Sequence, residues 1–270
     1  MLKSILKRIT PTSVLLAYHH WKATSSTVLQ ETEIVREALR DNGIKQGVYL
    51  DVGGHYGLTC LPYANDSFRC LVFEPSFENR KFLNLVASKR TNIEVYPLAI
   101  SSEKGFFDFY ESAVSSGISS LNKFHATHKV VGSVRTCRLD DVLPTLMPPG
   151  DIEVLKIDVE GYEYSVFQGF EKVCEYSPKI IIAEFDDFKI QGKKGVALDL
   201  VRWLEGHGYD VYFSVWEKAD RYGGRHQWRQ YTKTPPRFSD PKVWGNIVAI
   251  RSGLPALTQT VTDLFNKQSS

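Results

Sequence analysis

At 270 residues the chain is long enough for one large α/β domain with its own core. Hydrophobic residues at 43% and charged residues at 24% are values of a soluble globular protein, which excludes a disordered or fibrous chain. The net charge of +2 implies no global attraction to nucleic acid.

The chain opens with a basic, amphipathic stretch, Met1-Leu2-Lys3-Ser4-Ile5-Leu6-Lys7-Arg8-Ile9, and Val14-Leu15-Leu16-Ala17 follows Pro11. The apolar run is too short to span a bilayer, and no small-residue cleavage site follows it. The expectation is a helix docked on the domain or used in a homodimer contact, with weak attachment to an anionic membrane surface as the alternative. Residues 1–45 are read as an N-terminal helical extension, 46–252 as the main domain and 253–270 as a C-terminal tail. Within the extension, residues 30–43 read as a helix: Ile34, Val35, Ala38 and Leu39 share a face and Gly43 stops it.

Gly47-Val48-Tyr49-Leu50-Asp51-Val52-Gly53-Gly54-His55-Tyr56-Gly57 then reads as a buried parallel strand running into a glycine turn. Gly53, Gly54 and Gly57 let the backbone turn tightly and approach a ligand, and Leu58-Thr59-Cys60-Leu61 begins the next helix. The pattern D-x-G-G-x-x-G differs from the dinucleotide fingerprint G-x-G-x-x-G, which argues against a nicotinamide dehydrogenase. Asp51 stands where S-adenosylmethionine enzymes of Rossmann-like type carry an acid near the ammonium end of the cofactor. Its plainer role is a helix cap or turn residue. Glu74 closes the next strand, 69–74, where a carboxylate can accept both ribose hydroxyls of an adenosine.

Pro75 and Ser76 open a helix whose apolar stripe is Phe77, Phe82, Leu83 and Val86, read as core. Residues 93–100 read as a third strand, whose end at Ala99 and Ile100 is a natural place to meet an adenine ring. An aromatic strand over 105–110 pairs with 130–137 as an antiparallel excursion. Between them lie the polar loop Ser115-Ser116-Gly117-Ile118-Ser119-Ser120-Leu121 and the histidines His125 and His128. A short helix starts at Leu139-Asp140-Asp141.

Residues 152–161 are the fourth parallel strand, ending in Asp158 and Glu160, and 179–184 are the fifth, ending in Glu184. Helices over 58–65, 162–172 and 196–206, strands over 209–213 and 243–250, and a short terminal helix complete the chain. Strand and helix alternate, so the sheet is mostly parallel with helices on both faces. Ligands of such sheets bind outside the carboxyl ends of the strands. Asp51, Glu74, Asp158 and Glu184 all lie at such ends. Cys60, Cys70, Cys137 and Cys174 show no metal-finger spacing and read as reduced core thiols, which fits a cytoplasmic protein.

Asp51-Val52-Gly53-Gly54-His55-Tyr56-Gly57, Phe73-Glu74-Pro75, Gly117-Ile118-Ser119-Ser120-Leu121, Leu139-Asp140-Asp141, Leu155-Lys156-Ile157-Asp158-Val159-Glu160-Gly161 and Ile182-Ala183-Glu184 resemble, in order and spacing, the motifs of FkbM-type methyltransferases. The resemblance covers about residues 47–190. It implies a seven-stranded Rossmann-like class I methyltransferase fold, S-adenosylmethionine as donor, and hydroxyls of sugars, polysaccharides or related secondary metabolites as acceptors. Two departures stand out. Gly54-His55 replaces the family's usual Ala-Asn, and Ile118 replaces a threonine. His55 still donates a hydrogen bond, and its titration near neutral pH would make cofactor affinity pH-dependent.

Under that implication, cofactor contacts fall on Asp51, Gly53, Gly54, His55, Gly57, Glu74, Pro75, Ala99, Ile100 and Asp158. A sugar hydroxyl needs a general base, and Asp158 is the first choice, with Glu160, Glu184 and His125 as further candidates. Asp158's alternative is to hold the cofactor amino group. Asp158, Glu184 and Asp186 or Asp187 offer oxygen ligands for a Mg²⁺, which is not the favoured reading. Lys156, inside a strand, is expected to pair with a carboxylate. Residues 216–242 carry an excess of basic over acidic residues together with Trp216, Tyr222, Trp228 and Tyr231. They are read as a loop that recognises an acidic glycan or lipid-phosphate-linked sugar. A non-catalytic module that keeps an adenosyl-cofactor pocket is the competing function.

Overall fold

The computed structural model describes residues 30–112, 119–189, 196–219 and 226–268. The basic stretch 1–9, the apolar run 14–17, Gly117 and Ile118 of the serine-rich loop, and residues 220–225 of the basic segment lie outside the described residues.

The centre is an eight-stranded sheet in the order β10-β9-β11-β8-β7-β1-β2-β3. Its strands are β1 (Gly47–Val52), β2 (Phe68–Phe73), β3 (Ile93–Tyr96), β7 (Val154–Ile157), β8 (Ile180–Phe185), β9 (Tyr209–Glu217), β10 (Gln227–Thr232) and β11 (Val243–Arg251). β1, β2, β3, β7 and β8 are parallel neighbours, and β11 runs against both β8 and β9. A second sheet of order β4-β6-β5 comprises β4 (Ala99–Ile100), β5 (Gly105–Ser112) and β6 (His128–Cys137). It is the expected aromatic excursion.

Side chains alternate between two cores, as a doubly covered sheet requires. Ile180 and Ile182 enter one core with Tyr49, Cys70 and Val72, while Ile181 and Ala183 enter the other with Leu50, Leu71 and Phe73. Helices α1 (Glu31–Asp41), α2 (Cys60–Asn65), α3 (Phe77–Ala87) and α8 (Pro255–Lys267) cover the first face. The second face is covered by α4 (Leu139–Leu146), α5 (Glu163–Gln168), α6 (Val173–Tyr176) and α7 (Val196–Gly206). Among the described residues no helix is long and apolar enough to cross a membrane.

Four expectations fail: Phe77, read as core, opens α3 ahead of its buried face and is 65% exposed, Cys174, read as a core thiol, is exposed on the short helix α6, and two others fail at a strand end and a strand edge. The strand expected over 93–100 breaks at Pro97, which has no N–H for the ladder. Leu98 N donates to Tyr96 O at 2.9 Å, and Ala99–Ile100 leaves the large sheet to pair with Thr136 and Cys137 of β6. The segment read as a loop between the last two strands contains β10, an eighth strand added antiparallel to β9. Its register shifts between Trp228 and Gln230, and it docks through Trp228 Nε1, which donates to Ser214 Oγ at 3.0 Å, and through Tyr231 stacked on Phe265.

Candidate active site

The registers align the carboxyl ends of the parallel strands: Val52 is opposite Phe73 and Ile157, and Ile157 is opposite Ala183. Outside these ends a cavity of about 930 Å³, open mouth included, is walled by the turn after β1, the tip of β2, the start of β4 and the turn after β7.

The turn after β1 is built by atoms that are missing. Gly53 has φ +89°, and a Cβ there would lie 1.9 Å from the Asp158 carbonyl oxygen. A Cβ on Gly54 would lie 2.1 Å from Val72 Cγ1. The turn therefore presses onto β2 and β7 together, and Gly53 N and Gly54 N both donate to Phe73 O, at 2.9 and 3.1 Å. His55 follows with φ 47°, a left-handed conformation that asparagine and histidine tolerate better than most residues. This accounts for histidine at a position where the resembled family has asparagine. Its N–H donates to Glu74 Oε2 at 2.8 Å.

The acids divide according to whether they stand inside a strand or one residue past its end. Glu74 and Asp158 follow β2 and β7 and line the cavity. Asp51 and Glu184 lie inside β1 and β8, are buried, and do not line it. Glu74 also accepts from Ser76 N at 2.7 Å and Asn79 Nδ2 at 3.4 Å. Burial outweighs these donors and lifts its carboxyl to about 7. Asp51 Oδ2 accepts from Thr59 Oγ1 at 2.8 Å, and Lys156, its partner across the ladder, reaches Oδ1 at 3.6 Å. Lys156 also reaches Asp158 Oδ2 at 3.2 Å, so the expected pairing holds and takes two acids. Burial pushes the Asp51 carboxyl up against the pull of that ammonium. Burial pushes Asp158 up too, but Lys156 and Lys189 outweigh it and leave it below the usual carboxylate range.

Past Asp158 the chain turns through Glu160, at φ 57°, and Gly161, at φ 93°. The turn is held from two sides. Glu163 Oε1 accepts from Val159 N and Gly161 N, at 3.0 and 3.2 Å. From the serine-rich loop, Ser120 Oγ donates to Glu160 O at 2.9 Å and Asn122 Nδ2 to Gly161 O at 3.1 Å. Glu160 lines the cavity, and burial raises its carboxyl to about 7 against the pull of Lys189. Lys189 was absent from the sequence reasoning. It sits in the one-turn 3-10 helix Asp187–Lys189, and its ammonium lies 2.6 Å from Glu160 Oε2 and 2.5 and 2.6 Å from the two Glu184 oxygens. A basic residue soon after a strand closed by an acid was the available signal.

The oxygens of Asp158, Glu160 and Glu184 lie within 4.8 Å of one another, a spacing compatible with one cation. With the Lys189 ammonium among them, the set as folded does not fit a divalent ion. Asp186 and Asp187, also weighed as ligands, are engaged elsewhere: Asp186 with Lys218 at 2.7 Å and Asp187 with Ala197 N at 2.8 Å.

Pro75, Leu98, Ala99 and Ile100 form the apolar part of the wall. Gly57 and His125 lie outside it, and His125 Nδ1 contacts Thr127 Oγ1 at 2.7 Å. Asp140 is away from the cavity as well, accepting from Glu171 N and Lys172 N ahead of α6. In the basic segment, Lys218, Arg229 and Lys233 are ion-paired with Asp186, Glu217 and Asp210.

The profile of the Methyltransferase FkbM domain matches residues 51–211. No curated protein matches the chain. Similar solved structures include a precorrin-6y C5,15-methyltransferase from Geobacter metallireducens, at 12% identity and TM-score 0.45, covering 82% of this chain and 87% of that one. An O-methyltransferase from Bacillus cereus in complex with SAH has 10% identity and TM-score 0.44, covering 93% and 96% of the two chains. A magnesium protoporphyrin IX methyltransferase from Synechocystis with bound SAM has 11% identity and TM-score 0.42, covering 89% and 97%.

Proposed function

The chain belongs to the FkbM methyltransferase family and has the Rossmann-like class I fold, and from that premise we propose that it is an S-adenosylmethionine-dependent O-methyltransferase acting on a hydroxyl of a sugar, polysaccharide or related metabolite. The observation that carries this reading is the polarity of the cavity. A carboxylate suited to a ribose diol, Glu74, stands beside an apolar stretch, Leu98 to Ile100, and carboxylates suited to a cationic end, Asp158 and Glu160, stand at the β7 tip.

Each residue has a role in that reading. Glu74, with both oxygens oriented by backbone N–H groups, accepts the ribose hydroxyls. Leu98, Ala99 and Ile100 flank the adenine. Asp158, kept ionised by two lysines, faces the donor's positive end. When bound, the donor supplies an electrophilic methyl group on a sulfonium. Asp51 does not touch it; it fixes Thr59 and Lys156 beneath the turn.

A sugar hydroxyl must lose its proton as it attacks, and the base suits this task best when its pKa is near the working pH. Glu160, at about 7, meets that condition, whereas Asp158, held low, is a weak base. The base is therefore assigned to Glu160 rather than to Asp158, the first choice from sequence. Lys189 holds Oε2, leaving Oε1 to take the proton.

The test follows label from methyl-tritiated S-adenosylmethionine into a panel of sugars and oligosaccharides, with wild type and Glu160→Gln. Loss of about 10²–10⁴-fold in turnover, with donor affinity kept, supports the assignment. Equal turnover by the two proteins removes Glu160 from the mechanism.

A further inference from the structure

Three acids within 4.8 Å of one another would ordinarily be explained by a bound cation, because like charges gathered out of water repel one another. Here the cation is a side chain. The Lys189 nitrogen is 2.5–2.6 Å from three carboxylate oxygens of Glu160 and Glu184. Those separations fall at the long end of the roughly 2.3–2.6 Å at which Ca²⁺ holds oxygen, so ammonium and ion would compete for one place.

The lysine is placed there by construction. A Cβ on Gly161 would lie 2.9 Å from Lys189 Cβ and 3.2 Å from its carbonyl oxygen, so the missing side chain lets the Lys189 backbone settle on the turn. Lys189 N donates to Asp186 O at 3.0 Å, and Asp186 is tied to β9's extension by Lys218 at 2.7 Å. Both ends of the short 3-10 turn are thus held by contacts other than those its ammonium makes with the acids.

We propose that Lys189 is the resident cation of this site, its ammonium holding the position at which Asp158, Glu160 and Glu184 would otherwise gather a divalent ion. Glu160 and Glu184 are then oriented by a covalently attached charge, and donor and acceptor bind without a metal. Lys189 is a positioning residue acting through Glu160. The inference concerns the wall that the methyl-transfer reading uses, but its primary test requires no methyl transfer and so fails or succeeds separately.

The test is titration of the full chain with Mn²⁺ alone, read by loss of the free-ion paramagnetic resonance signal. Wild type and Lys189→Arg should take up no ion at the acids. Lys189→Ala, checked for folding by circular dichroism, should gain one site with a Kd on the order of 10⁻⁴–10⁻³ M, the range of weak carboxylate sites. Adding Glu184→Gln should abolish it. If Lys189→Ala does not fold alone, Mn²⁺ should restore its folded circular dichroism spectrum, and Lys189→Gln serves as the second variant. A role confined to packing would leave the pH profile of methyl transfer unmoved in Lys189→Gln; loss of the ammonium should shift its inflection to higher pH. Stoichiometric Mn²⁺ uptake by wild type that is lost in Glu184→Gln, or Lys189→Ala and Lys189→Gln variants that fold but gain no site, would overturn the proposal.

Discussion

Replacing Lys156 by Met tests the electrostatics beneath the glycine turn. The side chain is 10% exposed and lies 3.6 Å from Asp51 and 3.2 Å from Asp158. Removing one partner of a buried ion pair costs about 3–5 kcal/mol, because the remaining charge is left without compensation. Asp158 is 41% exposed and recovers solvation, whereas Asp51 is fully buried. The loss should therefore sit near the lower end, about 3 kcal/mol at pH 7. Its sign with pH follows. Asp51 already titrates above the ordinary range, and loss of the ammonium raises it further. An acid raised in the folded state weakens the fold as pH climbs from its unfolded toward its folded value. The deficit of Lys156→Met should thus shrink as pH falls toward 4 and Asp51 takes up a proton. Urea unfolding followed by tryptophan fluorescence at pH 4.5 and 8 measures both, and Asp51→Asn added to Lys156→Met should recover part of the loss. A deficit below about 1 kcal/mol, or one independent of pH, would refute the reasoning.

Methyl transfer should rise through an inflection near the Glu160 value of about 7, since the carboxylate is the active form, and the steady-state rate against pH checks this. A flat profile between pH 6 and 8 would count against Glu160. Gly54→Ala should lose donor binding before it loses the fold, because its Cβ meets Val72 Cγ1 at 2.1 Å and displaces the turn; calorimetry beside a thermal melt separates the two. Glu31→Ala should destabilise by roughly 2–4 kcal/mol, since the buried carboxylate accepts from Ser214 Oγ at 2.7 Å and Trp216 Nε1 at 2.8 Å, and charged hydrogen bonds contribute about 1.5–3 kcal/mol each. A red shift of tryptophan emission should accompany it.

The succession of parallel strands along the chain and the carboxyl-end position of the acids were legible because β1, β2, β7 and β8 are buried on both faces and read as unbroken apolar runs. Pro97 was legible in principle, and its missing N–H is the whole reason β3 stops at Tyr96. β10 was hidden because Gln227, Arg229 and Gln230 mask the alternation of Trp228 and Tyr231, as an edge strand open to solvent permits. In the site, the acids were visible one at a time but their depth was not. Whether an acid stands next to last in a strand or one residue beyond it separates the acids that do not line the cavity from those that do, and ends cannot be set that finely from pattern. Those two positions separate Asp51 from Glu74 and Glu184 from Asp158. Lys189 escaped notice because its meaning is tertiary: it joins two strand tips across a short turn that carries no motif.

The most direct measurement of the central claim is calorimetric titration of the protein with S-adenosylhomocysteine, S-adenosylmethionine and NAD, repeated with Glu74→Ala. Micromolar binding of both adenosyl compounds, absent for NAD and lost in Glu74→Ala, is the expected result. Binding of NAD alone, or adenosyl binding indifferent to Glu74→Ala, would contradict it.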